Sequence, residues 1–504
     1  MQTHGRSRAA ATGPDLLMLL AAHGQGTLRR RLRESVRDAI RSGRLPPGTR
    51  LPSSRTLAAD LGVSRGVVVE AFTQLSAEGF LISRPGSGAV VADTGVQVIQ
   101  HTADIRTAAP LPPRPAHEID LRPGPPDLAT FPRATWAKVT REVLGSVADA
   151  ELGYTPPWGV EVLRAQLSEY LARVRGVMTT PSDMLVVSGV TQGITLLVRV
   201  LHAAGVVDVA VEAPSNSVQR QVLARYGVRV WDIPVDGDGL VVEALSGTPC
   251  RAVIVTPGHQ YPCGMVMSAA RRSALTRWAD EVDGLVIEDE YDTAFRYDKM
   301  QIGAVQALSP GRVALVGSVS KTLAPGLRLG WVVCPPSLVT DVRLAKRDDD
   351  FGSNVLAQYV LARLIDTGDY DRHIRQLRRH YRRRRDTIVD ALGREVRDAV
   401  VEGYSAGLHL LLRLPASVDE KEYIAAAEAH GVALLGTSPM YGAQPPRPAV
   451  VIAYGRASPT QLDEAGRRLG AAMAALGEAA DRRRTVRGEH ANERRRPSTA
   501  VDYF

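Results

Sequence analysis

The chain has 504 residues, of which 44% are hydrophobic and 23% are charged. These fractions are close to globular averages, so they exclude a wholly disordered or fibrous chain, and the length corresponds to roughly three domains of about 150 residues. No apolar run reaches the roughly 18 residues that cross a bilayer, and the first residues lack a signal-peptide core. We therefore expect a cytoplasmic protein without membrane contact. The 3 cysteines are widely spaced, which excludes a disulfide framework and predicts no bound metal.

The net charge of +8 is concentrated near the N-terminus. Residues 1–92 contain 13 basic and 6 acidic residues, so that nearly all of the net charge lies there. The chain therefore joins a small basic region to a large region that is close to neutral. A solvated helix face would explain the arginines, and a phosphate-binding surface is the functional alternative.

Residues 27–92 show the pattern of three helices followed by a hairpin. Apolar residues four apart predict a helix over 27–44, and a second short helix is predicted over 54–61. Ser64 is a suitable N-cap for a third helix that ends near residue 78. Two short apolar runs around a Pro-Gly turn then predict a hairpin. This order is that of a winged helix-turn-helix domain, which we place at residues 20–92.

The composition changes twice after this region. Residues 93–117 are rich in proline in their second half and predict an extended linker. Over 118–478, strand-like apolar runs alternate with helical patterns, which predicts an α/β domain with a parallel sheet covered by helices on both faces. Residues 479–504 are charged and nearly free of apolar residues before their end, so we predict a disordered basic tail.

The N-terminal region resembles the winged helix-turn-helix of the GntR transcription regulators. In such domains the recognition helix enters the major groove with its N-terminal residues nearest the bases. Val69 departs from the family, whose members often carry a basic or polar residue there. A winged helix used for protein contacts is the alternative. The resemblance implies binding to a double-stranded DNA operator through Arg55, Ser64, Arg65, Arg84 and Gly86.

Five segments of the large region carry groups that pyridoxal 5′-phosphate (PLP) requires, namely 153–159, 188–193, 256–264, 288–292 and 317–330. The PLP aldehyde needs a lysine amine, for which Lys321 is the candidate. The ring nitrogen needs a carboxylate at a strand end, such as Asp289, and the ring oxygen needs a hydroxyl, such as that of Tyr291. The phosphate needs helix N-terminal amides, hydroxyls and a fixed cation. These are offered by Val190, Thr191, Gln192, Ser318, Ser320 and Arg328.

No one of these segments is specific, but the five in this order resemble the fold-type I aminotransferases across about 120–478. Winged helix, linker and this domain together resemble the MocR subfamily, the GabR-like branch of the GntR regulators. The resemblance implies a homodimer with each cofactor site at the subunit interface. It also implies that Tyr154 reaches the phosphate in the partner's site and that Lys321 binds the cofactor covalently.

Two departures from the family affect the expected activity. GabR-like proteins carry a Tyr and an Arg where this chain has Asn216 and Val218. Aminotransferases hold the substrate carboxylate with an arginine in a segment that here reads Val-Ile-Ala-Tyr over 451–454, with Arg456 nearby but out of step. Because carboxylates strongly prefer a bidentate arginine, these departures weaken the case for transamination. His409 lies near the expected site, and a lone histidine is more often structural.

Three hypotheses follow. The first is a PLP-dependent transcription regulator whose aminotransferase-like domain senses PLP or a small amine or amino-acid-derived effector. The second is an active aminotransferase with an accessory DNA-binding domain, against which the missing carboxylate arginine argues. The third is a DNA-binding protein whose large domain only dimerises. The presence of Lys321, Asp289, Tyr291 and Arg328 argues against this third hypothesis.

Overall fold

The computed structural model describes residues 27–84, 88–93, 118–298, 302–396, 398–403, 406–443 and 445–493. It divides into two compact units, with the boundary between residues 115 and 116. The linker predicted over 93–117 lies, apart from its first residue, outside the described residues.

The small unit consists of three helices and a two-stranded hairpin. The first helix buries Leu32 and Val36 on the apolar stripe that the sequence predicts, while Arg29, Arg30 and Arg41 are exposed. The second helix begins after Ser53, whose side chain accepts a hydrogen bond from the Thr56 amide at 3.1 Å. The elements are α1 (Leu28–Arg41), α2 (Ser54–Asp60), α3 (Arg65–Ala77), β1 (Leu81–Arg84) and β2 (Gly88–Val91).

The hairpin is extended by a bridge from the segment between α1 and α2. Strands β1 and β2 pair antiparallel, and Arg50 forms an isolated antiparallel bridge to Val90. Leu51, Leu57 and Leu75 join the hairpin residue Leu81 in one apolar core. This is a winged helix-turn-helix, as the sequence predicts.

The large unit contains a mixed sheet surrounded by helices. Its strands are β3 (Ile119–Asp120), β4 (Met184–Val187), β5 (Asp208–Ala213), β6 (Arg229–Asp236), β7 (Gly239–Leu240), β8 (Ala252–Val255), β9 (Leu285–Glu290), β10 (Val313–Ser318), β11 (Gly330–Val333), β12 (Val400–Glu402), β13 (His409–Arg413), β14 (Val432–Ala433), β15 (Leu435–Gly436) and β16 (Ala449–Ala453). Its helices are α4 (Arg133–Ser146), α5 (Glu161–Arg175), α6 (Val190–Ala203), α7 (Ser217–Arg225), α8 (Ala269–Glu281), α9 (Val339–Asp350), α10 (Val355–Asp366), α11 (Asp369–Glu395), α12 (Glu420–Ala429) and α13 (Pro459–Glu493).

The main sheet has eight strands in the order β4-β11-β10-β9-β8-β5-β6-β7. Strands β10, β9, β8, β5 and β6 run parallel, whereas β11 is antiparallel to both of its neighbours. Strands β4, β8 and β10 are buried on both faces, which explains their continuous apolar sequences, whereas β6 near the sheet edge is largely exposed. Asp289 pairs in register with Val316, so the strand ends that carry Asp289 and Ser318 meet at one edge. The α/β class predicted from the sequence is confirmed.

A second, four-stranded antiparallel sheet has the order β12-β13-β16-β15 and packs in a core with α11, α12 and α13. Helix α13 continues to Glu493, whereas the sequence predicts disorder from residue 479. The prediction is wrong for residues 479–493 because arginine, alanine and glutamate are good helix formers and extend a helix that is already anchored by packing. Residues 494–504 lie outside the described residues.

Candidate functional site

Lys321 lies just beyond the C-terminal end of β10, which is where the sequence places the cofactor lysine. Its Nζ donates a hydrogen bond to the Gly124 carbonyl at 2.6 Å. Burial lowers the pKa of Lys321, while Asp292 and Asp289 oppose that shift and Arg456 adds to it. A lowered pKa favours the neutral amine, which is the form that reacts with an aldehyde.

Asp289, at the end of the neighbouring strand β9, is 5% exposed. One carboxylate oxygen, Oδ2, accepts a hydrogen bond from Gln219 on α7 at 2.5 Å. The other oxygen, Oδ1, is buried and has no hydrogen-bond partner among the described residues. Burial raises the pKa of Asp289 to about 7. A protonated ring nitrogen would supply both the missing donor and the missing positive charge.

Tyr291 lies two residues beyond Asp289 and contacts a cluster of aromatic rings. Its hydroxyl lies 3.1 Å from Nδ1 of His259, and its ring lies edge-on to that of Tyr261 with 5.7 Å between ring centroids. Burial raises the pKa of Tyr291 well above its ordinary value, so the phenol is protonated and can donate a hydrogen bond.

Two glycines bring the start of α6 against Arg328 and Ser318. A Cβ on Gly189 would lie 3.4 Å from the Arg328 guanidinium. A Cβ on Gly330 would lie only 3.1 Å from both the Gly189 Cα and the Ser318 Cβ. An arginine, a hydroxyl and a helix N-terminus therefore meet at one point, which is the donor set that binds a phosphate. Arg328 has no ion-pair partner among the residues that the structure describes.

The remaining predicted phosphate residues surround this point with differing roles. Val190 is the first residue of α6, and Thr191 beside it is exposed. Ser320 donates its amide to the Ser318 hydroxyl at 3.4 Å. The Gln192 side chain instead spans from the Ser188 amide to Asp349 and Asp350 on α9, so it serves to hold the helix start.

The last predicted cofactor residue, Tyr154, points away from its own subunit. It is 98% exposed, and its ring lies edge-on to the exposed Phe351 with 6.4 Å between ring centroids. Asn216, which replaces the tyrosine of GabR-like proteins, caps α7 by accepting the Val218 amide at 3.0 Å. This cap explains why the loop has a short polar residue at that position.

Sequence reasoning missed three residues of this site. Gln219 binds Asp289 from 70 residues away, and Gly124 accepts the Lys321 hydrogen bond from 197 residues away. Arg456 packs against Gly124, because a Cβ placed on Gly124 would lie 3.5 Å from the Arg456 guanidinium. The family pattern expects its carboxylate-binding arginine at a different position of this segment. Arg456 forms an ion pair with Asp120 at 3.2 Å and donates to the Arg122 carbonyl at 2.8 Å. Gln219 and Gly124 lie outside the sequence motifs, so no local signal marks them, whereas Arg456 is visible in the sequence but out of step with the family pattern.

The candidate DNA-binding residues lie at the start of two helices of the small unit. Arg55 at the start of α2, Ser64 before α3 and Arg65 at its first turn are all exposed. Ser64 makes no capping bond, and Nε of Arg65 reaches the Ser54 hydroxyl at 3.4 Å. Val69 is 43% exposed on the same helix. The side chain of Arg84 and the whole of Gly86 lie outside the described residues.

Not every arginine of the small unit is free to bind an anion. Arg29 pairs with Glu70, Arg30 with Glu34 and Arg37 with Glu78. Arg55 and Arg65 form no ion pair with the residues described for this unit. Part of the net positive charge of the small unit therefore lies on Arg55 and Arg65, which are exposed at the N-terminal ends of α2 and α3.

The groups of the large unit fit PLP. An unpartnered buried carboxylate oxygen, an amine with a lowered pKa, and a cradle of arginine, hydroxyl and helix amides match its ring nitrogen, aldehyde and phosphate. When bound, PLP supplies an electron sink for carbanion chemistry, and the lysine, carboxylate and arginine would hold it.

Comparisons with known proteins agree with this assignment. The family model of aminotransferase class I and II matches residues 118–468, and that of the bacterial regulatory proteins of the gntR family matches residues 28–91. The chain is 33% identical over 399 residues to the pyridoxine biosynthesis transcriptional regulator PdxR of Corynebacterium glutamicum, covering 79% of this chain and 86% of that protein. It is 30% identical over 477 residues to the probable rhizopine catabolism regulatory protein MocR of Rhizobium meliloti, covering 91% and 96%.

Enzymes also occur among the similar proteins. Aromatic-amino-acid aminotransferase 1 of Thermococcus litoralis is 30% identical over 329 residues, covering 62% of this chain and 78% of the enzyme. The kynurenine aminotransferase structure of Pyrococcus horikoshii superposes with a TM-score of 0.66 at 28% identity, covering 71% of this chain and 91% of that one. Among the described residues, no helix combines the length and apolarity that a membrane span needs. The chain belongs to the MocR type of PLP-dependent transcription regulators, in which a GntR winged helix-turn-helix precedes an aminotransferase class I and II domain.

Proposed function

We propose that PLP itself is the signal that this regulator senses, and that PLP bound at Lys321 changes the affinity of the winged helix for an operator. The supporting observation is an imbalance between two parts of the site. The groups for PLP are complete, with an unpartnered Asp289 oxygen and Arg328 unpaired among the described residues. In contrast, the guanidinium that contacts Gly124 beside Lys321, that of Arg456, is already paired with Asp120.

A carboxylated amine that binds Arg456 would have to share its guanidinium with Asp120 and the Arg122 carbonyl, which both contact Nη2. The Arg122 side chain and the Arg456 charge together lower the pKa of Asp120 to about 2. Competing against a carboxylate already in place removes most of the gain that a free arginine would give. The name of PdxR, a regulator of pyridoxine biosynthesis, supports the same choice of signal.

We further propose that the active form is a homodimer. Tyr154 is almost fully exposed and lies next to Phe351, which is also exposed, although the family counterpart of Tyr154 contacts a phosphate. A tyrosine on this surface can serve a phosphate site only in a second subunit. Two subunits would present two winged helices to two half-sites of the operator.

The test is an operator titration with cofactor-free and PLP-loaded protein at one salt concentration. We expect the two affinities to differ by roughly 1–3 kcal/mol, and linkage requires operator DNA to change PLP affinity by the same factor. Lys321→Ala is the control, because it removes the covalent attachment and should reduce the difference. Superimposed curves would reject PLP as the signal and favour a small amine or amino-acid-derived effector.

Aminotransferase activity is the second candidate function, since the lysine and carboxylate of the enzymes are present. We expect the purified protein to show no turnover over an overnight incubation with a panel of amino acids and 2-oxo acids. Product formed by wild-type protein but not by Lys321→Ala would establish the enzyme.

A further inference from the structure

A buried cluster of two histidines and an aspartate lies beside the cofactor site and has no role in the function above. His259 follows β8, Asp292 follows β9, and His409 begins β13. Their side chains are 1%, 0% and 5% exposed, respectively. We propose that this cluster binds a divalent transition-metal ion of the zinc class.

The ligand atoms converge on one point. Nδ1 of His259 lies 3.1 Å from both oxygens of Asp292, and Nδ1 of His409 lies 3.9 Å from Oδ2. One ligand atom from each residue can be chosen so that all lie within 4.8 Å of one another. With metal–ligand bonds of about 2.0–2.2 Å, two ligands of a tetrahedral ion are about 3.3 Å apart. The His259–Asp292 separation of 3.1 Å is already close to this value, and His409, at 3.9 Å from Asp292, must move closer.

The hydrogen bonding of His409 leaves the correct nitrogen available for an ion. Its Nε2 lies 3.2 Å from the Pro262 carbonyl, which can only accept, so Nε2 carries the hydrogen. The lone pair is then on Nδ1, which faces Asp292. Metal-ligating histidines commonly donate their second ring nitrogen to a carbonyl or carboxylate in this way.

The relation between the two imidazoles also fits a shared ion. The centroids of His259 and His409 are 5.1 Å apart with an interplanar angle of 54°. Two imidazoles that bind one ion through bonds of about 2.0–2.1 Å place their centroids about 5 Å apart. Among the described residues, only these two histidines lie within ion-pair distance of Asp292. A buried carboxylate with no closer cation is costly, and a divalent ion would supply the missing charge.

The proposed ion would act on the cofactor site through one atom. Nδ1 of His259, a proposed ligand, is also the atom that lies 3.1 Å from the Tyr291 hydroxyl. An ion on that nitrogen removes this hydrogen-bond partner and leaves the phenol free to turn toward the cofactor. The sequence predicts no metal because the ligands come from three distant segments, without the close cysteine or histidine spacing that marks most metal sites.

The test uses the full chain loaded with PLP, stripped of metal with a chelator and dialysed. Zn²⁺ is titrated by calorimetry, and bound zinc is counted by elemental analysis after desalting. We expect one ion per chain that depends on the cluster. The double variant His259→Ala/His409→Ala should lose this ion or bind it at least about tenfold more weakly. His202→Ala is the matched control, because His202 is exposed on α6 and outside the cluster.

The proposal fails if wild-type protein retains no Zn²⁺, Co²⁺ or Ni²⁺, or if the double variant binds zinc as tightly as His202→Ala does. In that case the cluster is a hydrogen-bond network that positions Tyr291. Should the double variant not fold, X-ray absorption at the zinc edge of the wild-type complex decides. Two imidazole ligands in the fitted shell support the site, and a shell of oxygen alone rejects it.

Discussion

The proposed DNA-binding face and the proposed cofactor site are built in opposite ways. Arg55, Ser64 and Arg65 are close in the sequence and exposed to solvent. The cofactor groups are largely buried and come from segments far apart, as the contact of Lys321 with Gly124, 197 residues away, illustrates. Charges in water are screened, whereas buried polar groups have few alternative partners. Single substitutions should therefore have large effects in the cofactor site and small ones on the DNA face.

The largest effect is expected for Lys321→Ala. Wild-type protein incubated with PLP and reduced with borohydride should carry the cofactor covalently, and mass spectrometry should locate it on residue 321. The variant has no amine at this position, so covalent attachment should be lost completely, while the phosphate contacts leave weaker binding. Lys138→Ala, which removes an exposed lysine, should behave like wild type. Labelling of the Lys321→Ala variant at an unchanged level would contradict the assignment.

The second effect is a pH dependence that Asp289 imposes on the cofactor-free protein. Its pKa is about 7 in the folded chain, because of burial, and about 3.9 when unfolded. Between these values the folded state binds the extra proton, so stability falls as pH rises from about 4 to about 7 and then levels off. The Asp289→Asn side chain cannot ionise. The free energy of unfolding of this variant should therefore exceed that of wild type by an amount that grows across this window to at most roughly 4 kcal/mol.

Denaturant unfolding of both proteins at several pH values measures this difference. The subtraction removes the contribution of Glu288, whose pKa burial also raises to about 7. Part of the Glu212 titration stays in the difference, because Asp289 helps burial to raise the pKa of Glu212 to about 7. With PLP bound, wild type should be more stable than Asp289→Asn near neutral pH, because a protonated ring nitrogen favours the ionised Asp289. A wild-type minus variant difference that does not change with pH would mean that Asp289 is solvated.

The same contrast explains how far the sequence could be interpreted. Asp289 and Ser318 lie at the C-terminal ends of strands, and Lys321 follows one. Because parallel strands end at one edge of a sheet, the convergence of these residues is predictable from local patterns. Gln219 and Arg456 reach the site through chain folding at long range, and no local pattern encodes their positions. The positions of Arg55, Ser64 and Arg65 are predictable without long-range contacts, because they are set by two helices that are adjacent in the sequence and by the turn between them.

On the DNA face, Arg65→Ala should have the larger effect. Arg65 lies in the first turn of the recognition helix, where a side chain can form a bidentate pair with a base. We expect the variant to lose roughly 1–3 kcal/mol of operator binding, with scrambled DNA less affected. Fluorescence anisotropy with both duplexes at one salt concentration measures this. An equal loss on the two duplexes would assign Arg65 to a phosphate.

The smallest effect, expected for Arg55→Ala, is the most direct test of whether position or mere charge matters on the DNA face. Arg55 is exposed and forms no ion pair with the described residues of its unit, whereas Arg29, also exposed, is paired with Glu70. A phosphate contact releases counterions, so losing one should lower the slope of log affinity against log salt by about one, equally for operator and scrambled DNA. Arg29→Ala removes the same formal charge, but Glu70 already neutralises it, so the slope should be unchanged and stability should fall by at most about 1 kcal/mol. Equal slope changes in the two variants would show that the unit binds DNA through its overall charge, and the exposed helix starts would then have no special part in recognition.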